Sequence, residues 1–305
     1  MYFIEKLIEL IREKKSVVCM GLDPRMDNEG QIPKYLVNEF NEPNKIITEF
    51  NKTLIDNTYD LIPIIKPQIA FYEKYDALSA LKETIKYAHK KDLLVILDSK
   101  RNDIGSTSEA YAYSNFKVYN ADACTINAYF GIDGVQPFLD YKEKGVFILV
   151  KTSNPSSRDF QGTFSAEIHG IPDTQTEIIV KEKKLERNYI FMAKLVHKWG
   201  NDLIKFSGYH NLGVVVGATY PQELKAIKEI VKNSFTLLPG YGAQGAKAKD
   251  IKFGFDKNGL GGIVNSSRKI MFAYSHKKLP PEKFGEAARE EIIDMNQKIN
   301  REIGI

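Results

Sequence analysis

The side chains best suited to acid–base chemistry fall within one short run, ILDSKRNDIGST, at residues 96–107. In a strand, Asp98 and Lys100 are two residues apart and point to the same side, and Asp103 lies just beyond in the turn. A lysine between two carboxylates is favoured as an ammonium, which disfavours a Schiff-base role because that role needs a neutral amine. Lys66 ends the preceding apolar run and is expected to face the same pocket. The pattern predicts an alternating Lys, Asp, Lys, Asp array with Lys100 as an acid.

This array constrains the reaction. Carboxylates repel an anionic group placed beside them, and a repulsion that disappears as the reaction proceeds lowers the barrier. Loss of a carboxylate as neutral carbon dioxide has this property. The ammonium groups would stabilise the carbanion left behind, and Lys100 would protonate it. The structural alternative is a solvated charge cluster at a strand end, and the second lysine argues against it.

Eight short apolar runs recur along the chain, most of them separated by segments with helical periodicity. They are VVCMGLD (17–23), LIPIIKPQ (61–68), LLVILDSK (93–100), ACTINAY (123–129), VFILVKTS (146–153), LGVVVGAT (212–219), FTLLPGYGA (235–243) and GGIVNSS (261–267). Near-continuous hydrophobicity is typical of parallel strands that are covered on both faces. The count of eight favours a closed (β/α)8 TIM barrel over a doubly wound sheet, which would also bind ligands at its strand ends.

Seven of the eight runs pass into polar residues at their C-terminal ends. These residues are Asp23, Lys66 with Gln68, Asp98 with Lys100, Asn127, Thr152 with Ser153, Thr219, and Ser267 followed by Arg268. Barrel enzymes assemble their sites at this end, so these side chains are expected to line the mouth. Asn127 and Thr219 could instead cap the next helix, and capping is favoured for Thr219.

The chain is predicted to form a single domain over residues 1–305. A helix is expected at 1–15, the barrel at about 16–275 and a C-terminal helical segment at about 280–302. The connection at 154–188 is long for a compact domain, and a lid and a surface insertion are equally ordinary explanations of it.

The turn GYGAQG at 240–245 matches the G-x-G-x-x-G template for dinucleotide binding. That fingerprint belongs in the first βα turn with an acidic residue about 20 positions further on, whereas this turn follows run seven and leads to no such acid. Strands seven and eight of a barrel commonly hold a phosphate. We therefore predict a phosphate cradle, completed by Gln244 and by the planar donor group of Arg268.

Composition limits the classes of partner. Subtracting 39 Asp and Glu from 43 Lys and Arg leaves a net charge of +4, too small to imply a nucleic acid. Cys19 and Cys124 lie in apolar runs, which favours inert buried thiols and a reducing, cytoplasmic setting. Charges interrupt residues 1–15 where a signal peptide needs an apolar core, and no run is long enough to span a membrane. The histidines lack metal-ligand spacing, so no metal is predicted.

The stretch from Asp98 to Thr107 resembles the active-site signature of the orotidine 5'-phosphate decarboxylases. Five further blocks resemble the longer, type 2 subfamily of bacteria and protozoa: GLDPR (21–25), KPQIAFYE (66–73), KTSNPSS (151–157), PGYGAQGA (239–246) and the arginine of NSSR (265–268). The resemblance covers about residues 16–275. Asn102 departs from it, since the family often has glycine there, but no charged position changes.

The resemblance implies a cofactor-free enzyme that converts orotidine 5'-phosphate to UMP, the last step of UMP synthesis, on a homodimeric barrel. Asp23 would hydrogen-bond the ribose, Lys66 would bridge the ribose and Asp98, and Lys100 would deliver the proton. The residues that would cross the dimer interface into the partner's site are Asp103 and Thr107. The other residues expected to bind the substrate are Gln68, Thr152, Ser153, Gln244 and Arg268.

Two other functions remain open at this point. A sugar-phosphate enzyme of the same superfamily, such as a hexulose-phosphate synthase, resembles this chain in an Asp-x-Lys-x-x-Asp strand but uses a magnesium ion, so chelator sensitivity separates the two. A catalytically inactive nucleotide-phosphate binding protein would keep the cradle without turnover. Intact Lys66, Asp98, Lys100 and Asp103 argue against that alternative.

Overall fold

The computed structural model describes residues 1–27, 31–166, 184–242 and 245–305. Within these ranges, eight parallel strands close into a barrel, because the first strand pairs with both the second and the last. The strands are β1 (Val18–Leu22), β2 (Ile64–Pro67), β3 (Leu94–Leu97), β4 (Ala123–Ile126), β5 (Gly145–Lys151), β6 (His210–Val216), β7 (Ser234–Pro239) and β8 (Gly262–Ser266). Each strand overlaps one of the eight predicted runs, and none begins more than two residues before its run. The (β/α)8 prediction is therefore confirmed.

Helices surround the barrel, and their cover explains the unbroken hydrophobicity of the strands. All residues of β1, β2, β3, β4 and β8 are buried. The described helices are α1 (Phe3–Lys14), α2 (Lys34–Phe40), α3 (Pro43–Thr58), α4 (Ile69–Lys74), α5 (Leu78–Lys90), α6 (Gly105–Tyr113), α7 (Gln136–Leu139), α8 (Asn188–Gly200), α9 (Pro221–Ile230), α10 (Ala248–Ile251), α11 (Arg268–Met271), α12 (Ala273–His276) and α13 (Phe284–Ile303).

Helix α1 lies against the amino-terminal end of the barrel, opposite the mouth. The Phe3 N–H donates to the Glu143 carbonyl at 2.8 Å, just before β5 begins. The Phe3 ring meets the Phe147 ring edge-on, with 6.0 Å between centroids. A Cβ on Gly145 would lie 2.4 Å from the Phe3 ring, so the first residue of β5 must be glycine for this helix to dock.

Helix α13 packs against α3 on the outside of the barrel. The Phe50 ring of α3 stacks on the Phe284 ring of α13 at 5.0 Å between centroids. At the rim of this contact, both terminal nitrogens of Arg289 donate to the Asp60 carboxylate, at 2.7 and 2.8 Å. The apolar face of α13 thereby covers part of the core, with its charged face in water.

The long connection after β5 folds back on itself. A 3₁₀ turn at Pro155–Arg158 follows the strand, and Phe164–Ser165 pairs in antiparallel fashion with Glu186–Arg187 just before α8. The centre of the predicted lid or insertion, residues 167–183, lies outside the described residues.

Both cysteines are free and buried, as the sequence predicts. Cys19 lies on β1 and Cys124 on β4, each with 0% of its surface exposed. Burial raises the pKa of both thiols, to about 12 for Cys19, so neither forms the reactive thiolate near neutral pH. Among the described residues, no helix is long and apolar enough to span a membrane.

Candidate active site

Asp98 is the centre of a hydrogen-bonded charge network at the mouth of the barrel. Its Oδ2 accepts a hydrogen bond from Lys66 Nζ at 2.6 Å, and its Oδ1 accepts from Lys100 Nζ at 2.5 Å and from Thr125 Oγ1 at 2.7 Å. Asp98 and Lys66 are buried, whereas 40% of the Lys100 side chain is exposed. The network therefore presents one ammonium group to the mouth.

Burial and charge attraction act on this network in opposite directions. Burial raises the pKa of Asp98, but Lys66 and Lys100 outweigh it and hold that pKa well below its ordinary value. Burial lowers the pKa of Lys66, but the charges of Asp98 and Asp23 outweigh it and hold that pKa above its ordinary value. Lys66 and Asp98 thus stay charged throughout the neutral pH range.

Lys100 forms this contact from a left-handed backbone conformation, with φ at +50°. Residues other than glycine rarely occupy this region, and such strain persists only where the surroundings enforce it. Here the Lys100 N–H donates to Thr125 Oγ1 at 3.1 Å, and the same hydroxyl donates to Asp98. Thr125 therefore fixes both sides of the turn. Sequence reasoning missed it, although a polar side chain within the apolar run of β4 was an available signal.

Asp103 and Thr107 do not reach Lys100 within one subunit. Asp103 Oδ1 accepts a hydrogen bond from the Ile104 N–H at 2.7 Å, and Asp103 forms no ion pair with any described residue. Thr107 is exposed on α6. The expectation that two carboxylates flank Lys100 is therefore wrong for a single chain, because the turn beyond Lys100 holds the Asp103 carboxylate on the Ile104 N–H and not on the ammonium.

Asp23 follows β1 and interacts electrostatically with Lys66 on the neighbouring strand. Its Oδ1 is buried and has no hydrogen-bond partner among the described residues. Buried carboxylate oxygens are normally paired, so this one is available to a ligand hydroxyl. Gln68 is only partly available, since its Oε1 accepts from the Ala70 N–H at 3.2 Å as the N-cap of α4.

The polar residues after β4, β5 and β6 differ in what they do. The Thr152 hydroxyl contacts Asn154 Oδ1 at 2.7 Å, and the Thr152 N–H donates to Gln161 at 2.9 Å. Ser153 is half-buried, and a Cβ on Gly217 would lie 2.8 Å from its Cα. Asn127, after β4, accepts a hydrogen bond from the Tyr129 N–H on its Oδ1. The hydroxyl of Thr219, after β6, has no hydrogen-bond partner among the described residues. The prediction that Thr219 caps a helix is therefore wrong, because Tyr220 occupies the N-cap position.

The glycine-rich turn after β7 has a backbone conformation that glycine adopts more readily than other residues. Gly240, Gly242 and Gly245 all have positive φ, at 101°, 76° and 92°. Glycine leaves no side chain between the backbone and an anion. The Gly242 N–H donates to the Ala246 carbonyl at 3.0 Å and the Gly245 N–H to the Gly242 carbonyl at 2.9 Å, so these two N–H groups already have partners. Arg268 is exposed at the start of α11, and its guanidinium makes no hydrogen bond or ion pair with the described part of the chain. Gln244 lies outside the described residues.

Comparisons with known proteins match nearly the whole chain to one family. Residues 16–278 match the family described as "Orotidine 5'-phosphate decarboxylase / HUMPS family". The chain is 38% identical over 299 residues to an orotidine 5'-phosphate decarboxylase of Petrotoga mobilis, and covers 96% of each sequence. It is 38% identical over 306 residues to one from Clostridium perfringens, covering 98% of each.

A solved structure gives the same result at the level of the fold. The Leishmania donovani OMP decarboxylase structure superposes with a TM-score of 0.71 and 30% sequence identity, covering 97% of this chain and 100% of that one. The barrel, the Asp98 network and this similarity over nearly the whole length lead to one conclusion. The chain belongs to the orotidine 5'-phosphate decarboxylase family.

Proposed function

We propose that this chain decarboxylates orotidine 5'-phosphate to UMP, the last step of UMP synthesis, with Lys100 as the proton donor. The observation that carries the proposal is the Asp98 carboxylate held between two ammonium groups at the barrel mouth. The relatives reported above are named for this activity, which makes the chain a carboxy-lyase. No cofactor enters the proposed reaction.

The chemistry follows from the charges. With the substrate bound, its carboxylate lies beside the Asp98 carboxylate, and the two anions repel each other. The carbon–carbon bond breaks, carbon dioxide leaves, and the electron pair stays on the pyrimidine carbon. The Lys100 ammonium stabilises this carbanion and transfers a proton to it, and the neutral amine regains a proton from water. The repulsion disappears once carbon dioxide forms. It therefore lowers the activation barrier and does not weaken binding of the product.

Binding of the remainder of the substrate orients the reacting group. In the proposal, Asp23 accepts a hydrogen bond from the ribose, and Lys66 bridges the ribose and Asp98. The phosphate lies in the glycine-rich turn, where Arg268 pairs with it. The other residues proposed to bind the substrate are Gln68, Thr152, Ser153 and Gln244.

We propose further that two copies share their active sites, with Asp103 and Thr107 entering the partner's site. An exposed apolar patch beside Asp103 supports this arrangement. Ile104 and Tyr129 are 55% and 74% exposed, and a Cβ on Gly134 would lie 3.0 Å from both Asp103 O and Phe130 Cβ. Exposed apolar surface next to an unpaired carboxylate is what a symmetric interface would cover.

The remaining parts of the proposal concern the whole protein. We assign the chain to the longer, type 2 subfamily, as one domain that acts in the cytoplasm on a small-molecule substrate without nucleic acid or membrane. Free, buried cysteines are compatible with a reducing compartment.

One assay tests the central claim. Purified protein is mixed with orotidine 5'-phosphate, and the fall in pyrimidine absorbance is followed with and without EDTA. Turnover that EDTA does not change is expected. No loss of orotidine 5'-phosphate, together with magnesium-dependent turnover of a sugar phosphate, would favour the sugar-phosphate type of chemistry. UMP binding without any turnover would favour an inactive binding protein.

A further inference from the structure

A two-point ion pair lies beside the turn that carries Lys100. Arg101 Nη1 donates to Glu73 Oε1 at 2.7 Å, and Arg101 Nη2 donates to Glu73 Oε2. Arg101 immediately follows Lys100, and Glu73 lies near the end of α4. A guanidinium and a carboxylate that meet through two parallel hydrogen bonds fix orientation as well as distance.

Helix α4 also holds the other side of this turn. The Ile69 N–H, at the start of α4, donates to the Asp98 carbonyl at 3.3 Å, and the Asp98 N–H donates to the Pro67 carbonyl at 2.9 Å. The backbone at Asp98 is thus attached to the first turn of α4, and Arg101 to its last turn. Between these two attachments lies Lys100, in its left-handed conformation.

The Glu73–Arg101 pair contributes little to the stability of the fold. The Arg101 and Glu73 side chains are 39% and 35% exposed, and exposed ion pairs contribute little to folding because solvent screens them. A strained turn beside the reacting groups is a different matter. Thr125 holds the Lys100 N–H, and Asn102 Nδ2 donates to the Gly134 carbonyl at 3.0 Å. The Arg101 pair is what ties the turn beyond Lys100 to α4, and without that tie the turn could relax toward an ordinary backbone conformation.

We propose that Glu73 and Arg101 are positioning residues: they hold the strained Lys100 turn so that the ammonium stays on Asp98 and faces the substrate. The inference rests on the proposed function, since it assigns these residues a part in that reaction. Neither side chain touches the substrate in this proposal. Their loss should therefore change the catalytic rate more than the affinity for UMP.

The test compares kcat, the Kd of UMP and the melting temperature for Glu73→Gln and Arg101→Gln. Misplacement of a reacting group by a fraction of an ångström costs rate steeply, so kcat should fall by about 10- to 100-fold. The Kd of UMP should stay within about threefold, because the phosphate and ribose contacts remain. The double variant should be no slower than the slower single variant, since each substitution removes the same pair.

The chain offers a matched control in Arg289 and Asp60, on the far side of the barrel. This pair has the same two-point geometry, with side chains 39% and 43% exposed. Asp60→Asn should lower the melting temperature about as much as Glu73→Gln and leave kcat within about twofold of the wild type.

Equal kcat values for Glu73→Gln, Asp60→Asn and the wild type would overturn the inference, as would additive losses in the double variant. Should Glu73→Gln not fold, Arg101→Lys, which keeps the charge but loses the fork, takes its place. A crystal structure of the variant is the second measurement: a Lys100 still on Asp98 contradicts the proposal, and a displaced one supports it. A wild-type protein without decarboxylase activity would refute the proposed function instead, and the crystal structure would still decide whether the pair positions Lys100.

Discussion

Asp98 accepts hydrogen bonds on both carboxylate oxygens in a setting that excludes nearly all water. Its pKa lies far below the ordinary value because Lys66 and Lys100 outweigh the effect of burial. An anionic group brought to this position therefore meets a full negative charge, and no proton relieves the repulsion at neutral pH. The same two lysines hold Asp98 in place, so the repulsion cannot be escaped by rotation of its side chain.

The first prediction concerns the proton donor. Lys100→Ala removes the exposed ammonium while Lys66 continues to hold Asp98. Loss of a general acid typically costs about 10²–10⁴-fold in rate, so turnover should fall at least that far. Affinity for UMP should persist because phosphate binding does not involve Lys100. Calorimetry measures the affinity for UMP and an absorbance assay measures turnover, so the two measurements together separate the effects.

Lys298→Ala is the control for this variant, since Lys298 pairs with Asp294 on the outer face of α13. It should match the wild type in both measurements. Near-normal turnover of Lys100→Ala would remove this lysine from the mechanism.

The second prediction concerns pH and a residue remote from the mouth. His210, on β6, is 3% exposed, its Nδ1 has no described partner, and burial lowers its pKa to about 4. The unfolded chain takes up this proton near pH 6.5 but the folded chain does not, so the free energy of unfolding should fall as pH drops from 6.5 toward 4. Between pH 7.5 and 5 this group should account for a loss of about 2 kcal/mol.

Urea unfolding at both pH values measures this loss in the wild type and in His210→Gln. The variant should show a shallower pH dependence by about that amount. His276→Gln, at an exposed position of α12 and not among the groups that act on His210, serves as the control and should keep the wild-type slope. A His210→Gln slope equal to the wild type would show that His210 does not titrate as proposed.

At the scale of elements, strands were predictable from the sequence and turns were not. The run at 93–100 located β3, because continuous hydrophobicity is a property of a buried strand whatever its partners are. The left-handed φ of Lys100 depends on Thr125, from another strand, and on α4. Contacts of this kind join residues far apart in sequence, so a local pattern does not contain them. For that reason Asp98 and Lys66 were placed together correctly, whereas Asp103, expected beside Lys100, does not pair with it within one chain.

The third prediction belongs to the turn after β7 and the start of α11. Arg268→Ala removes an unpaired guanidinium beside the proposed cradle, so affinity for orotidine 5'-phosphate should fall by about 1.5–3 kcal/mol. The nucleoside orotidine has no phosphate and should be processed equally slowly by the variant and the wild type. The ratio of kcat/KM values for the two substrates is the measurement. Equal losses for both substrates would show that Arg268 does not bind phosphate.

At the scale of the whole molecule, the proposed dimer makes a prediction that one chain cannot test. If Asp103 serves the partner's site while Lys100 serves its own, a hybrid of Lys100→Ala and Asp103→Ala chains has one doubly altered site and one unaltered site. Random assortment of equal amounts makes about half the dimers hybrid, so roughly a quarter of all sites regain wild-type composition. Decarboxylation is measured after subunit exchange and compared with each variant alone.

A second mixture controls for effects of exchange itself. Lys100→Ala and Asp98→Asn both alter the site of their own chain, so each site of that hybrid keeps one defect and no recovery is expected. If mass spectrometry shows hybrids in the first mixture and activity does not return, Asp103 does not enter the partner's site.

The burial of both thiols makes the closed sheet observable by chemistry. Cys19 lies on β1, where the first strand meets the last, and Cys124 lies on β4, three strands away. Met20 contacts Thr58 of α3, so its neighbour Cys19 points into the barrel. Cys124 instead points outward to Asn115, because Thr125 beside it points to Asp98. An alkylating reagent can therefore reach Cys124 once the helices part from the sheet, but it reaches Cys19 only after the ring of strands opens. A closed ring has no edge, and parting it at one place creates two edges at once, so we expect Cys19 to be labelled more slowly than Cys124. UMP should slow the labelling of Cys19, and a Cys19 labelled as fast as Cys124 would locate the weak point of the barrel where β1 meets β8.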